Sequence, residues 1–304
     1  DGFSLKTPTY NTRSIGKYST VTLSNNISKM IAMNNEIFIL DNENDKISKI
    51  TENTNDETIT FNEDFITGLN KPKDIIKVQD NYYISNSGDN TVVLANNTGV
   101  LNSFPIIGTE NESGDIDETN KLVMTDDNVE QGLSFQQSKI DNPQEIFIDN
   151  AGNISFYDKD NSKIKQISLS DGNVNYAENE IYYLTISDSH IISRYIDGVL
   201  LPWIGKENES GDIDGNISAA RLNSPVSLKT IIENDIENIY FLDKGNGKLK
   251  YFSNTYPVNV QTIVSGLSSP EGFIKYGDDY YICDTGNNKI VKFIINKFKD
   301  FIFN

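Results

Sequence analysis

The sequence predicts an all-β protein built from a repeated unit of strands. One pattern, an apolar strand followed by an Asp-x-x-Asn turn and a second strand, occurs six times in the 304 residues. Repetition at intervals of roughly 30–70 residues, with strands in every unit, indicates a propeller or a solenoid. An apolar strand precedes each pattern, and a more variable strand follows it. Four strands in each of six units predict a six-bladed β-propeller with four-stranded antiparallel blades.

The six copies differ in how closely they keep the pattern. The clearest are YYICDTGNNKI and YFLDKGNGKL, and the six copies end at Ile47, Val92, Ile164, Ile192, Leu249 and Ile290. In the second copy, Asn86 and Asp89 exchange the places that Asp and Asn hold elsewhere. The fourth copy, YYLTISDSHII, lacks the Asp and is the most degenerate of the six.

The first strand of most units opens with proline. The prolines concerned are Pro72, Pro143, Pro225 and Pro270, and the degenerate fourth unit has none. Because proline donates no backbone hydrogen bond, it belongs at the start of a strand. The aromatic strand that follows is apolar throughout, which suits a strand covered on both faces.

The Asp-x-x-Asn turn has a structural explanation. An Asp at a strand end accepts hydrogen bonds from backbone N–H groups two residues on, and a Gly-Asn pair tolerates a positive φ. Asp243, Gly245 and Asn246 form one such turn. We therefore interpret the repeated Asp and Asn residues as structural and not as catalytic.

The repeats run almost from end to end, so we expect one domain over residues 1–304. The expected blades span roughly residues 25–60, 61–108, 136–172, 173–205, 220–264 and 265–304. The alternating segment from Tyr18 to Ser24 precedes the first blade and has no partner of its own. We expect this strand, residues 18–24, to complete the last blade and close the ring.

The charge of the chain excludes some classes of function. Its net charge is −18, with 44 acidic and 26 basic residues. Such a surface repels phosphate backbones and anionic lipid, so no nucleic-acid partner is expected. The apolar runs never approach 18 residues, so no membrane span is expected either. We expect a monomer.

The single cysteine and the single histidine limit the chemistry further. Cys283 rules out an internal disulfide and lies at a strand end, where a small buried apolar side chain is usual. His190 rules out a metal site with several histidines, and it falls in the degenerate fourth copy. We predict no catalytic residue.

Together, the opening proline, the aromatic strand, the Asp-x-x-Asn turn and the Ile- or Val-based strand resemble the NHL-repeat family of bacterial proteins. The resemblance extends from roughly Ile27 to Ile294. It implies a six-bladed propeller that acts mainly as a rigid binding platform. Some members bind RNA through a basic face, which the charge of this chain argues against. Amidating lyases of similar architecture need a His-rich metal site, which one histidine cannot build.

Two loops are the strongest candidates for a binding site. They share the segment ENESGDID at an offset of 97 residues. Their carboxylates are Glu110, Glu112, Asp115, Asp117, Glu207, Glu209, Asp212 and Asp214. Both loops join the outer strand of one blade to the inner strand of the next, so we expect them beside the Asp-x-x-Asn turns on a strongly acidic face. This face is the predicted docking surface for a protein partner or another ligand.

Three other interpretations of the acidic residues stay open. The loops could be inherited connections that solvent keeps polar. They could bind Ca²⁺ through Asp115, Asp117, Asp212 and Asp214, although the full calcium-loop pattern is absent. A metal-dependent hydrolase similar to six-bladed lactonases would instead place Glu145 and Glu271 in the central channel as metal ligands.

The sequence thus predicts a non-enzymatic binding or scaffold module of the NHL type, with no cofactor. The alternative is a metal-dependent, lactonase-like hydrolase that uses channel carboxylates. The acidity, the Asn-rich strands and the lack of an initial Met lead us to expect a secreted or cell-surface protein, and a cytoplasmic one stays open.

Overall fold

A computed structural model of the chain describes residues 27–33, 36–53, 58–103, 105–116, 123–124, 129–130, 138–149, 152–167, 174–176, 181–233, 235–276, 279–287 and 289–293. Within these ranges the protein is all-β, and its only helical pieces are 3₁₀ turns of three residues. None of these turns has the length or the apolar character that a membrane-spanning helix needs. The predicted closing strand 18–24 and Asp117 lie outside the described residues.

The strands form six larger sheets and one short hairpin. The first sheet holds β1 (Ile27–Met33), β2 (Glu36–Asp41), β3 (Lys46–Asn53) and β4 (Thr58–Ile66). The second holds β5 (Pro72–Val78), β6 (Asn81–Asn86) and β7 (Thr91–Asn96), and β8 (Val123–Met124) and β9 (Val129–Glu130) form the hairpin. The third holds β10 (Pro143–Ile148), β11 (Ile154–Asp158), β12 (Lys163–Ile167) and β13 (Val174–Tyr176).

The remaining three sheets continue in chain order. The fourth holds β14 (Ile181–Ile186), β15 (Ile191–Ile196) and β16 (Val199–Gly205). The fifth holds β17 (Gly215–Asn216), β18 (Pro225–Glu233), β19 (Ile236–Asp243), β20 (Lys248–Ser253) and β21 (Asn259–Val264). The sixth holds β22 (Gly272–Tyr276), β23 (Asp279–Asp284) and β24 (Lys289–Phe293). All paired strands are antiparallel, and within each sheet strands adjacent in sequence pair with each other, except that β17 pairs with β21.

The outermost strands differ most from the prediction. The first sheet runs on to Ile66 and the third to Tyr176, beyond the expected blade limits of 60 and 172. In the second sheet the expected fourth strand, which ends at Gly108, makes only isolated bridges between Val92 and Ile107 and between Ala95 and Leu101. The outer strand carries no repeated sequence pattern, so the sequence could not locate it.

Among the described residues, the fourth sheet has three strands and lacks the inner strand that the prediction of four strands required. Its first strand in the described residues, β14, leads into a 3₁₀ turn like β6, β19 and β23, which are second strands of their units. Leu184 is the only buried residue of β14, whereas all five residues of β11 are buried. The sequence between β13 and β14 supplies only AENE, which is too short for another strand and its turn.

The innermost described strands of the six sheets, β1, β5, β10, β14, β18 and β22, pack side by side as an inner row. β1 contacts β5, β5 contacts β10, β14 contacts β18, β18 contacts β22, and β22 contacts β1. Phe147 of β10 and Tyr182 of β14 link the third and fourth sheets, with ring centroids 4.9 Å apart. The first and last sheets are therefore neighbours in space.

A hydrophobic cluster lies between each sheet and the next. Representative pairs from the first sheet onward are Phe38 with Tyr82, Tyr83 with Phe156, Tyr157 with Tyr195, Ile192 with Phe252, Tyr240 with Tyr280, and Ile274 with Met30. The last pair joins the sixth sheet to the first. The core is thus a series of interfaces between sheets, because each sheet buries both of its faces.

The Asp-x-x-Asn turns anchor the loops that lead into the inner strands. Asp243 accepts the backbone N–H of Asn223 at 2.6 Å through Oδ1 and the side-chain amide of Asn246 at 2.8 Å through Oδ2. Asp158 and Asp284 make the same pair of bonds. The bond to an N–H group two residues on, which the sequence predicted, occurs in the first turn instead.

The exchange in the second turn preserves this hydrogen bonding. Asn86 accepts the backbone N–H of Asn70 at 2.6 Å and donates its side-chain N–H to Asp89 at 2.8 Å. The side-chain bond within the turn therefore survives with donor and acceptor reversed. The exchange is a structural substitution.

Candidate functional site

The two ENESGDID loops, 110–117 and 207–214, have the same geometry wherever both are described. Asn111 and Asn208 have left-handed φ angles of 61° and 59°. Their backbone N–H groups bind the Asp89 and Ser189 carbonyls in the turns of the preceding sheets, at 2.9 and 3.0 Å. Each loop also accepts a side-chain amide from the Asp-x-x-Asn turn of the following sheet. Both loops therefore lie beside these turns.

Two carboxylates of the first loop, Glu112 and Asp115, bind lysines of the third sheet and its approach. Asp115 contacts Lys163 and lies 3.1 Å from the Nζ of Lys165. Glu112 lies 2.7 Å from the Nζ of Lys139. The loop is thus held to the next sheet by ion pairs, and these lysines neutralise much of its negative charge.

The second loop repeats this arrangement on the fifth sheet. Asp212 and Asp214 lie 3.0 and 3.1 Å from the Nζ of Lys250, and Asp212 also contacts Lys248. Glu209 contacts Lys206 and Arg221. Ion pairs with these lysines lower the pKa of Asp212, against burial, which raises it. The pKa of Asp115 is lowered in the same way.

A feature of the sequence accounts for this pairing. The third strands of the third and fifth sheets begin KIK (163–165) and KLK (248–250), and these are the two sheets that an ENESGDID loop precedes. The second lysine of each motif, Lys165 or Lys250, has a fully buried side chain. A buried ammonium needs counter-charges, and the loop supplies them.

The face with these loops is therefore less acidic than its carboxylate count predicts. Glu110 and Glu207 are exposed, and among the described residues neither makes an ion pair. The same end of the inner strands also carries lysines. Lys73 and Lys244 lie near Glu271, and Lys159 lies near Lys73.

The metal candidates do not converge. Within the described ranges, no group of three or more His, Cys, Asp or Glu side chains is placed to hold a metal ion. Glu271 binds the Nζ of Lys244, and the charge of Glu145 acts on Lys229. Asp115, Asp212 and Asp214 bind lysines, as described above. An ammonium group thus occupies the position beside most of these carboxylates that a cation would take.

A cavity of about 400 Å³ lies along the inner row. The inner strands of three consecutive sheets, β1, β5 and β10, supply most of its wall, with the apolar residues Ile31, Ala32, Met33, Ile75, Ile76, Ile146, Phe147 and Ile148. Its polar lining consists of Asp74, Lys77 and Lys229. Its lining surface is mixed, nearly as polar as it is apolar, and its volume is within the range of small-molecule sites.

Asp74 binds three polar groups in the wall of the cavity. Its Oδ2 lies 2.7 Å from the Nζ of Lys29 and accepts the N–H of Ile146 from the neighbouring sheet at 3.2 Å. Its Oδ1 accepts the N–H of Ile75 at 2.9 Å. The carboxylate is buried, and these three bonds compensate its loss of water.

Lys229 reaches the cavity from another side. It belongs to β18, which packs between β14 and β22, whereas the cavity wall comes from β1, β5 and β10. Burial lowers the pKa of Lys229, the nearby charge of Lys29 lowers it further, and Asp74 and Glu145 raise it. The side chain of Lys229 is half-buried, and within the described part of the chain it makes no ion pair or hydrogen bond.

Sequence reasoning missed Lys29, Asp74 and Lys229 as site residues. Asp74 and Ser227 are each the third residue of a strand that opens with proline, and both accept an N–H group from the next sheet. A polar residue that recurs at this position of the strand was the sequence signal that could have identified Asp74. Nothing in the local sequence separates Lys229 from a solvent-exposed strand lysine.

The cysteine and the histidine have structural positions. Cys283 is buried, and its burial raises the pKa of the thiol. His190 Nδ1 accepts the backbone N–H of Ser224 at 3.1 Å, the role that Asn90 plays toward Asn142 in the second sheet. Both residues are used by the fold.

No protein-family model matches the sequence, and no curated protein matches it either. Solved structures share its fold. An auxiliary nutrient binding protein from Bacteroides thetaiotaomicron superimposes with a TM-score of 0.64 and 13% identity, over 88% of this chain and 68% of that one. The corresponding protein from Bacteroides ovatus gives 0.64 and 13%, over 88% and 69%.

An enzyme is similar in fold as well. A catalytically inactive virginiamycin B lyase from Staphylococcus aureus, solved with quinupristin, gives a TM-score of 0.54 and 15% identity, over 91% of this chain and 84% of that one. At such identities the likeness concerns the fold alone. The chain is an all-β protein of the β-propeller type.

Proposed function

We propose that the chain is a single-domain, six-bladed, NHL-type propeller that works as a non-enzymatic binding module with its ligand site in the central cavity. The cavity of about 400 Å³ carries this proposal. It combines apolar side chains from the inner strands of three sheets with a half-buried lysine, Lys229, and the described residues hold no group of three or more His, Cys, Asp or Glu side chains placed to bind a metal ion.

Contacts between the first and last sheets support a closed ring of six blades over residues 1–304. A Cβ on Gly272 of β22 would lie 2.7 Å from the backbone N of Met30 in β1. Met30, Ile274 and Cys283 share one hydrophobic cluster. Closure through residues 18–24 stays a prediction.

A binding function agrees better with the site than the hydrolase alternative does. A metal-dependent hydrolase needs carboxylates that converge on one ion, whereas Asp74 is saturated by Lys29 and two backbone N–H groups. Two fold neighbours are named as nutrient binding proteins, and another is a lyase, so the fold by itself does not decide between binding and catalysis.

The acidic loops are a second proposed surface. Glu110 and Glu207 are the exposed carboxylates that a basic protein partner would meet there. A secreted or surface location and a monomeric state stay predictions.

A neutral fluorescent probe tests the cavity. We expect 1-aminoanthracene to bind the wild-type protein saturably, because the cavity offers apolar walls. Ala32→Phe and Ile148→Trp fill the cavity and should abolish binding. Val100→Phe changes an exposed residue away from the cavity and should leave binding intact. Saturable binding that both filling variants retain, or no binding at all, would refute the proposal, with thermal melts used to verify folding.

A further inference from the structure

Resting on the proposed function, we infer that the ligand of the cavity is an amphipathic carboxylate, with its anionic group at the Nζ of Lys229 and its apolar body against the walls. Two lysines, Lys77 and Lys229, and one carboxylate, Asp74, line this cavity, although the protein as a whole carries a net charge of −18. The apolar side chains of the lining favour a hydrocarbon body, and Lys229, which has no ion pair among the described residues, favours an anionic head group.

Asp74 cannot serve as a full counter-ion for Lys229. Both of its oxygens are already occupied, Oδ1 by the N–H of Ile75 and Oδ2 by Lys29 and the N–H of Ile146. These partners lie on three different strands and hold the carboxylate in place. Lys29 and the two N–H groups therefore compensate the negative charge of Asp74, with Lys29 as the main partner.

Lys77, the other lysine that lines the cavity, already has partners. Its Nζ lies 3.7 Å from an oxygen of Glu36 and 5.1 Å from the ring centroid of Tyr82. Both groups raise the pKa of Lys77, against burial, which lowers it. The head group of a ligand would therefore find its strongest uncompensated positive charge at Lys229.

Glu145 is the remaining carboxylate that faces Lys229. Its charge acts on Lys229 from β10, but no direct ion pair joins the two among the described residues. Glu145 is therefore a distant counter-charge, and it repels any anion that approaches Lys229. This assigns opposite effects to the two side chains: Lys229 attracts the ligand, and Glu145 weakens its binding.

The energetics favour an anionic ligand over a neutral one. Lys229 is half-buried and has no ion pair among the described residues, so an incoming carboxylate would provide its ammonium with a charge-assisted hydrogen bond. The apolar wall gains from burying a hydrocarbon body at about 25 cal/mol per Å². A ligand with both features uses the whole cavity.

The test compares decanoate with decanamide, which has the same chain and a neutral head group. Affinities are measured at pH 7 by displacement of 1-aminoanthracene and by calorimetry. We expect wild-type protein to prefer decanoate by about tenfold, a difference of ~1.4 kcal/mol. Lys229→Met should remove this preference and leave decanamide binding unchanged, and Lys229→Arg should keep most of it.

Two further variants control the interpretation. Glu145→Gln removes the competing charge and should strengthen decanoate binding about threefold or more without affecting decanamide, by the usual size of a partly screened charge effect. Lys206→Met removes an exposed lysine on an acidic loop and should change neither affinity. Should Lys229→Met fail to fold, the Lys229→Arg and Glu145→Gln pair still decides the matter.

The outcomes separate this inference from the proposed function. Three results would overturn the anion assignment while the cavity remains a binding site. Wild-type protein could bind decanoate and decanamide equally, or Lys229→Met could keep the preference for decanoate. In the third, Glu145→Gln would bind decanoate more weakly than wild type. Failure of 1-aminoanthracene, decanoate and decanamide alike overturns the proposed function itself.

Discussion

The Nζ of Lys250 lies 2.9 Å from Oδ2 of Asp243, and neither side chain is exposed to solvent. The carboxylate also holds the loop before β18 and the turn after β19, so one buried charge joins three segments of the fifth sheet. Asp243 and the acidic loop together raise the pKa of Lys250, against burial, which lowers it. The repeated Asp and the repeated loop are thus parts of one ion-pair network.

Breaking this pair should be strongly destabilising. Lys250→Met leaves Asp243 buried without its cation, and we expect the unfolding free energy to fall by about 3–5 kcal/mol. The double variant Asp243→Asn, Lys250→Met should recover part of this loss. Lys248→Met removes a more exposed partner of Asp212 and should cost less than about 1 kcal/mol. Urea unfolding measures all three, and equal losses for Lys248→Met and Lys250→Met would contradict the prediction.

The acidic loops should stabilise the protein in a defined range of pH. The pKa of Asp212 lies below its ordinary value of 3.8, so the unfolded chain takes up this proton first as the pH falls. Its contribution is complete above about pH 4 and is lost as the pH falls through the folded pKa. Asp212→Asn should therefore show a weaker loss of stability in acid than wild type. Glu207→Gln, which changes an unpaired exposed carboxylate, should follow the wild-type curve.

Contact between the first and last sheets should make Gly272 intolerant of a side chain. A Cβ there meets the backbone N of Met30, which cannot move aside cheaply, so we expect Gly272→Ala to cost about 1–3 kcal/mol. Gly198→Ala is the control, because its Cβ meets nothing and only its left-handed φ of 84° opposes the change. Thermal melts compare the two. A smaller decrease in melting temperature for Gly272→Ala than for Gly198→Ala would argue against ring closure between the first and last sheets.

Binding of decanoate should weaken as the pH rises above neutral. Burial lowers the pKa of Lys229, so its charge is lost at a lower pH than that of an exposed lysine. The groups that face it are Lys29, Asp74 and Glu145, and the ligand stays ionised over this range. Affinity should fall through the pKa of Lys229 while decanamide affinity stays flat. A flat decanoate profile up to about pH 10, where lysines ordinarily titrate, would exclude Lys229 as the contact.

Calcium should leave the melting temperature unchanged after EDTA treatment. Lysines already neutralise Asp115, Asp212 and Asp214, so an ion would have to displace ammonium groups from the loops. A real site at 100 times its dissociation constant would add about 2.7 kcal/mol and raise the melt by several degrees. Such a rise would restore the calcium-loop and hydrolase interpretations.

Much of the fold could be predicted because its signals are local. The Asp-x-x-Asn turn, the opening proline and the aromatic strand each act within a few residues, so they predicted the strands around Asp158, Asp243 and Asp284 correctly. The outer strands lack such signals, and the second and fourth sheets differ from the prediction at those points. The candidate site was less predictable, because the carboxylates of the two loops act through partners elsewhere in the chain.

The sequence by itself determined the repeated unit, the antiparallel sheets and the equivalence of the two ENESGDID loops. Tertiary structure alone decided that Asp212 meets Lys250, that β1 meets β22, and that Lys229 reaches a cavity walled by other sheets. The physical reason is the distance along the chain over which each interaction acts. Turn geometry and strand patterning depend on neighbours along the chain, whereas the strength and role of a charge depend on which distant groups the packing of the sheets brings against it.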